Sequence, residues 1–217
     1  MRDQVIQAIE AEKVIAIVRG VSPDQCMRVA DALYAGGIRL MEVTFDQKNP
    51  ASFRTTADAI AAIGKAYEGR MLVGAGTVTT TELVELTAEA GGKYVISPDV
   101  NVDVIRRTRE LGMVSLPGAM TPTEVMTAHR AGADFVKLFP AGNLGTAYVK
   151  AVRAPISHVK LLAVGGINED NVADFLRAGM VGAGVGGNLA NKKWIEAGDF
   201  GKITETARKL LEAVKNA

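Results

Sequence analysis

Two periods alternate along this chain. Short runs rich in Val, Ile, Leu and Phe read as strands: VIAIV (14–18), LMEVTF (40–45), MLVGA (71–75), YVIS (94–97), MVSL (113–116), DFVKLF (134–139), LLAVG (161–165) and GAGV (182–185). Each is trailed by apolar residues at helical spacing, as in TTTELVELTAEAGG (79–92) and TPTEVMTAHRAG (121–132). The first helix opens on Pro23-Asp24 and stops at Gly36-Gly37.

Eight strand–helix units in a little over 200 residues predict parallel strands joined by crossover helices. That is the pattern of an α/β single-domain TIM (β/α)8 barrel over residues 1–217. A doubly wound open sheet fits less well, because IVRGVSPD after the first strand has only Gly20 where a dinucleotide turn needs several glycines. No linker or low-complexity tract interrupts the pattern.

The fold class decides where chemistry is sought: at the C-terminal ends of the strands and in the loops after them. In DFVKLF, strand alternation puts Phe135, Lys137 and Phe139 on one face and the aliphatic Val136 and Leu138 on the other. The aliphatics belong against the outer helices, so Lys137 points into the barrel. Enclosure favours the neutral amine, which attacks carbonyl carbon to form an imine. The alternative is a lysine merely paired with a carboxylate. In RLMEVTF the same alternation turns Glu42 inward, and a lysine and a carboxyl sharing one interior can divide nucleophile and proton-carrier roles.

Two Gly-Gly pairs, Gly165-Gly166 and Gly186-Gly187, end the last two predicted strands, where this fold commonly binds phosphate on bare backbone N–H groups. Tight turns alone would also use glycine there.

Composition narrows the partners. With 25 Lys and Arg against 24 Asp and Glu, the formal net charge is +1 and the charges are scattered, which points to no nucleic-acid or membrane partner. The start lacks a secretion signal and no run approaches the ~18 apolar residues of a membrane span, so a cytoplasmic protein is expected. The single cysteine, Cys26, reads as inert packing, and His129 and His158 lie away from any ligand cluster, so no metal is expected. Lys160 opens a strand at the opposite rim and is no rival to Lys137. Trp194 reads as an anchor of the loop and last helix onto the barrel, or as packing between subunits.

These motifs resemble the KDPG and KHG aldolases, which act on 2-dehydro-3-deoxy-6-phosphogluconate and 4-hydroxy-2-oxoglutarate. GADFVKLFPAGNLG resembles that family's Schiff-base lysine motif and GGIRLMEVTF its glutamate motif. VGAGTV, ISPD, LPGAMTPTEV, AVGGI and GVGGNL follow in the family's order, so the resemblance spans nearly the whole chain. It implies a class I lyase that needs no cofactor, with Lys137 forming the imine and Glu42 moving the proton. It further implies release of pyruvate from a small 2-keto acid substrate, KDPG first and its galactonate epimer as the alternative, and a homotrimer. A phosphosugar-binding barrel without chemistry is the rival from another class. By the same resemblance Thr77 holds the pyruvate carboxylate, Pro98 and Phe139 wall the pocket, and Gly165, Gly166 and Asn188 contact the distal phosphate.

Three positions depart from the family pattern. Asp46 stands where many members carry a carboxylate-gripping arginine, and Arg19 on the neighbouring strand is the candidate to replace that charge. Asn188 stands for serine, and Asp99 for glycine after Pro98.

Overall fold

The branched apolar runs pair side by side into one parallel sheet in the computed structural model, which describes residues 2–217. Helix α1 (Arg2–Glu12) comes first, followed by β1 (Val14–Val18), α2 (Pro23–Ala35), β2 (Leu40–Thr44), α3 (Phe53–Ala66), β3 (Leu72–Gly76), α4 (Thr81–Glu89) and β4 (Tyr94–Ile96). The chain continues through α5 (Val102–Glu110), β5 (Val114–Leu116), β6 (Gly118–Ala119), α6 (Pro122–Arg130), β7 (Val136–Leu138) and α7 (Ala141–Arg153). It ends with β8 (Leu161–Val164), α8 (Val172–Arg177), β9 (Gly182–Val185), α9 (Lys192–Glu196) and α10 (Phe200–Lys215). Side-chain caps start several of the helices: Ser22 and Thr80 accept backbone N–H groups, and Thr121 with Glu124 forms a capping box.

The strand order is β5-β4-β3-β2-β1-β9-β8-β7-β6, all parallel. Eight strands were expected and nine segments are present, because Pro117 divides the fifth. A proline has no N–H to continue a ladder. Before it, Val114–Leu116 pair with Tyr94–Ile96; after it, Gly118 and Ala119 pair with Lys137 and Leu138. Pro117 still accepts a hydrogen bond from the Lys137 N–H at 2.9 Å. The two ends of the ladder are therefore joined through one residue, and the barrel closes.

Alternation sorts the side chains as the sequence implied. Leu40, Ile96, Leu116, Phe135 and Leu162 fill the inner layer, while Met41, Val43, Phe45, Val136 and Leu138 pack outward under the helices. The sequence reading did not anticipate α1. Its apolar stripe is only Val5 and Ile9, one turn apart, too narrow to register as an amphipathic pattern, yet both are buried and cap the inner layer. Arg2 pairs with the buried Asp134, and Lys160 meets Glu10 at 2.7 Å, so both tie α1 to the barrel. Cys26 is buried and burial pushes its thiol up to about 11, consistent with packing alone. Trp194, half-buried in α9, packs against the outer core. Among the described residues no helix is long and apolar enough to cross a membrane.

Candidate active site

β7 and β2 deliver Lys137 and Glu42 to one small cavity whose other walls include Ile17, Ile96, Leu116 and Val164. Glu42 is 2% exposed and Lys137 8% exposed. The pair sits in largely apolar surroundings, because Ile15, Ile17, Ile96, Leu116, Leu162 and Val164 line the same cavity. The slot for Glu42 is cut by β3: a Cβ at Gly76 would lie 2.2 Å from Glu42 Oε1, so only glycine leaves room for the carboxyl. The other oxygen, Oε2, is buried and has no hydrogen-bond partner among the described residues. A buried polar atom without a partner is costly, and such atoms concentrate where a reaction uses them.

Burial pushes the Glu42 carboxyl up to about 7, with the charges of Lys137 and Arg19 pulling it down. Burial likewise lowers the Lys137 ammonium from its ordinary value; Glu42 opposes that shift, the Arg19 charge adds to it, and Asp99 opposes it. The two groups are thus drawn toward each other in acidity, which suits one to act as nucleophile and the other as proton carrier. The Lys137 Nζ lies 5.0 Å from the Phe139 ring centroid, and Phe139 is 41% exposed at the rim.

Above this pair, Arg19 Nη2 donates to Thr77 Oγ1 at 3.1 Å, and no ion pair among the described residues occupies Arg19. Thr77 has φ 58°, a left-handed conformation that a β-branched residue adopts only under constraint. Gln47, which the sequence gave no reason to single out, holds it there by donating to the Thr77 carbonyl at 2.9 Å. A guanidinium and a hydroxyl thus stand side by side after β1 and β3, flanking the end of β2, with the donors that a carboxylate would accept.

Asp46 turns away from that site. Its Oδ1 accepts from the Lys48 N–H at 3.0 Å, and its side chain lines a separate cavity with Ser22, Thr55 and Thr56. Asp46 thus does not face the Arg19–Thr77 pair, and it is Asp99 whose charge reaches Lys137. Pro98 and Asp99 are exposed at the rim, where the Pro98 carbonyl lies so close to Gly118 that a Cβ there would meet it at 2.5 Å.

The two Gly-Gly loops differ. Gly165 and Gly166 have φ of 88° and 74°, and Gly142 N–H donates to the Gly165 carbonyl at 2.8 Å, so the turn itself requires glycine. Gly186 and Gly187 are not left-handed, and a Cβ at Gly187 would meet nothing within 4 Å. The turn does not account for glycine there. Asn188 joins the loops by donating to the Ile167 carbonyl at 3.0 Å.

His129 and His158 stack edge-on with centroids 5.1 Å apart at the end of α6 and before β8, the rim opposite Lys137. Among the described residues no group of three or more His, Cys, Asp or Glu side chains could hold a metal ion. Of the functional positions, Gly76 and Gln47 were missed from sequence. The GAGT stretch carried a signal for Gly76, since a glycine in a strand marks close approach; Gln47 carried none.

A family model described as KDPG and KHG aldolase matches residues 5–206. A relative in Rhizobium meliloti named probable 2-dehydro-3-deoxy-6-phosphogalactonate aldolase is 39% identical over 85% of this chain and 84% of its own. A Treponema pallidum relative named 2-dehydro-3-deoxy-phosphogluconate aldolase is 35% identical over 97% of each. Among solved structures, one described as native KDPGal superposes with a TM-score of 0.83 at 33% identity, covering 94% of both chains. The Legionella pneumophila KDPG aldolase, with pyruvate captured as a covalent carbinolamine, does so at 0.84 and 25% identity, covering 94% of this chain and 97% of that one.

Proposed function

The chain belongs to the KDPG and KHG aldolase family, and from that premise we propose that it works as a homotrimer cleaving a 2-keto-3-deoxy-6-phospho sugar acid to pyruvate and glyceraldehyde 3-phosphate through an imine on Lys137. The observation that carries this reading is the meeting of Lys137 and Glu42 in one small, largely apolar cavity, each shifted from its ordinary acidity.

The neutral Lys137 amine attacks the C2 keto carbon and gives a carbinolamine, which loses water to a protonated imine. The Glu42 carboxylate takes the proton of the C4 hydroxyl as the C3–C4 bond breaks, and the electron pair moves into the iminium. The aldehyde leaves. The enamine that remains is protonated at C3 and hydrolysed, freeing pyruvate and the amine. Arg19 and Thr77 hold the substrate carboxylate, Phe139 and Pro98 wall the entrance, and the backbone at Gly165, Gly166, Gly186 and Gly187 with Asn188 receives the distal phosphate. The open backbone at Gly187 supports that last assignment.

For the substrate, the galactonate epimer takes precedence over the gluconate one named first from sequence, because the phosphogalactonate-named relative is the more similar over its aligned length, 39% identical against 35% for the phosphogluconate-named one. Cleavage of 4-hydroxy-2-oxoglutarate, lacking the phosphate, is a slower side activity. Pyruvate release from the two epimers at matched concentrations tests this: the galactonate epimer should show the higher kcat/KM. A ratio favouring gluconate reverses the substrate assignment, and binding of either without pyruvate release leaves a non-catalytic barrel.

A further inference from the structure

A second cavity, of about 510 Å³, opens at the end of the barrel away from Lys137, between α1 and the starts of β2, β3 and β4. Ala8 and Leu72 give it accessible apolar surface over the buried Leu40 and Met71, and Arg39, Arg70 and Lys93 stand around it. Glu12 is the one carboxylate in the lining. Leu40 and Leu72 are paired neighbours at the N-terminal ends of their strands, whereas Glu42 and Gly76 lie further along the same two strands toward the mouth.

Among the described residues none of the three cations takes part in an ion pair. Two of them are held in place all the same. The Arg39 guanidinium lies 4.1 Å from the Tyr34 ring centroid, and its Nη1 donates to the carbonyls of Tyr34 and Ile38 at 3.0 and 2.9 Å. Arg70 sits 5.5 Å from the Tyr34 ring and 4.9 Å from the Tyr67 ring, with Nη2 donating to the Ala66 carbonyl. Among the described residues these contacts leave Nε of both arginines, Nη2 of Arg39 and Nη1 of Arg70 without an acceptor.

Three like charges and one carboxylate around one cavity leave it net positive, a field that attracts an anion. A fixed guanidinium loses little entropy when it takes a ligand, and a concave site of this volume suits a small molecule rather than a flat macromolecular face. We propose that this cavity binds a small organic anion with an apolar or aromatic body, the body resting on Ala8 and Leu72 and the anionic group meeting Arg39, Arg70 and Lys93.

The probe is 8-anilinonaphthalene-1-sulfonate, an aromatic body carrying one anionic group, titrated by fluorescence into the full chain at low ionic strength. Binding should saturate near one probe per chain and weaken as NaCl is added, because the contacts are charged. The Arg70→Gln/Lys93→Gln double variant should bind about tenfold more weakly, as expected for lost charge-assisted contacts, with pyruvate release unchanged. An Arg19→Gln variant at the opposite mouth should bind the probe as the parent does. Unsaturable binding, an unchanged affinity in the double variant, or a loss in Arg19→Gln instead would overturn the proposal. If far-UV circular dichroism shows the double variant unfolded, the parent's salt titration decides, and an affinity indifferent to NaCl overturns it.

Discussion

At the scale of single residues the site rests on Glu42, whose environment makes two separable predictions. Its folded-state pKa is raised from 4.5 to about 7 by burial. Cleavage needs the carboxylate, so kcat/KM should rise as pH passes through about 7, and Glu42→Gln should abolish that limb and lower kcat by about 10²- to 10⁴-fold. Stability moves the other way. Between 4.5 and about 7 the native state binds this proton more tightly than the unfolded chain, so the contribution is full below that window and is lost as pH rises through it. Urea midpoints at acid and neutral pH should converge in Glu42→Gln relative to the parent; an unchanged pH dependence would show that the carboxyl is not desolvated. The second prediction concerns the slot. Gly76→Ala puts a Cβ 2.2 Å from Glu42 Oε1 and must displace the carboxyl. Its kcat should fall at least about tenfold, the loss expected when a catalytic group moves by a fraction of its working distance, while the pyruvate imine on Lys137 still forms. Steady-state assays beside borohydride trapping separate the two effects. The inward side chains of β2 and β7 could be read directly from strand parity; the glycine that admits Glu42 required knowing which strand lay beside it.

At the scale of elements, the barrel depends on the seam at Pro117. β5 and β6 face different neighbours, and the turn between them requires the Pro98 backbone to approach Gly118 to a distance that a Cβ would reduce to 2.5 Å from the Pro98 carbonyl. Gly118→Ala should therefore destabilise the fold by about 1–3 kcal/mol, the usual cost of forcing atoms into a packed site, and should raise the Michaelis constant because Pro98 borders the mouth. A urea titration read beside substrate saturation curves checks both. The strand runs and their helices were legible because period 2 and period 3.6 alternate without interruption. The seam was not, since MVSL ends at a proline and nothing local says that the next two residues change partners. Helix α1 was hidden for a different reason: two buried residues among charged ones make no stripe, and only the barrel floor beneath them shows why Val5 and Ile9 are apolar.

At the scale of the whole molecule, closing the sheet gives two ends with different duties. The C-terminal mouth collects Arg19 and Thr77 above Lys137 and Glu42, while α1 covers the other end and leaves a basic cavity beside it. Asp46 shows what sequence order alone could not settle: it follows a site strand yet turns outward to its own loop. The central claim is that Lys137 is the nucleophile of a class I aldolase. Incubating the protein with pyruvate and sodium borohydride, then locating added mass by peptide mass spectrometry, tests it most directly. An imine on this lysine is reduced to a stable amine, so the parent should carry one pyruvate-derived adduct on Lys137, and Lys137→Ala, still folded, should carry none. A folded parent with no adduct, or one modified at another lysine, would contradict the account.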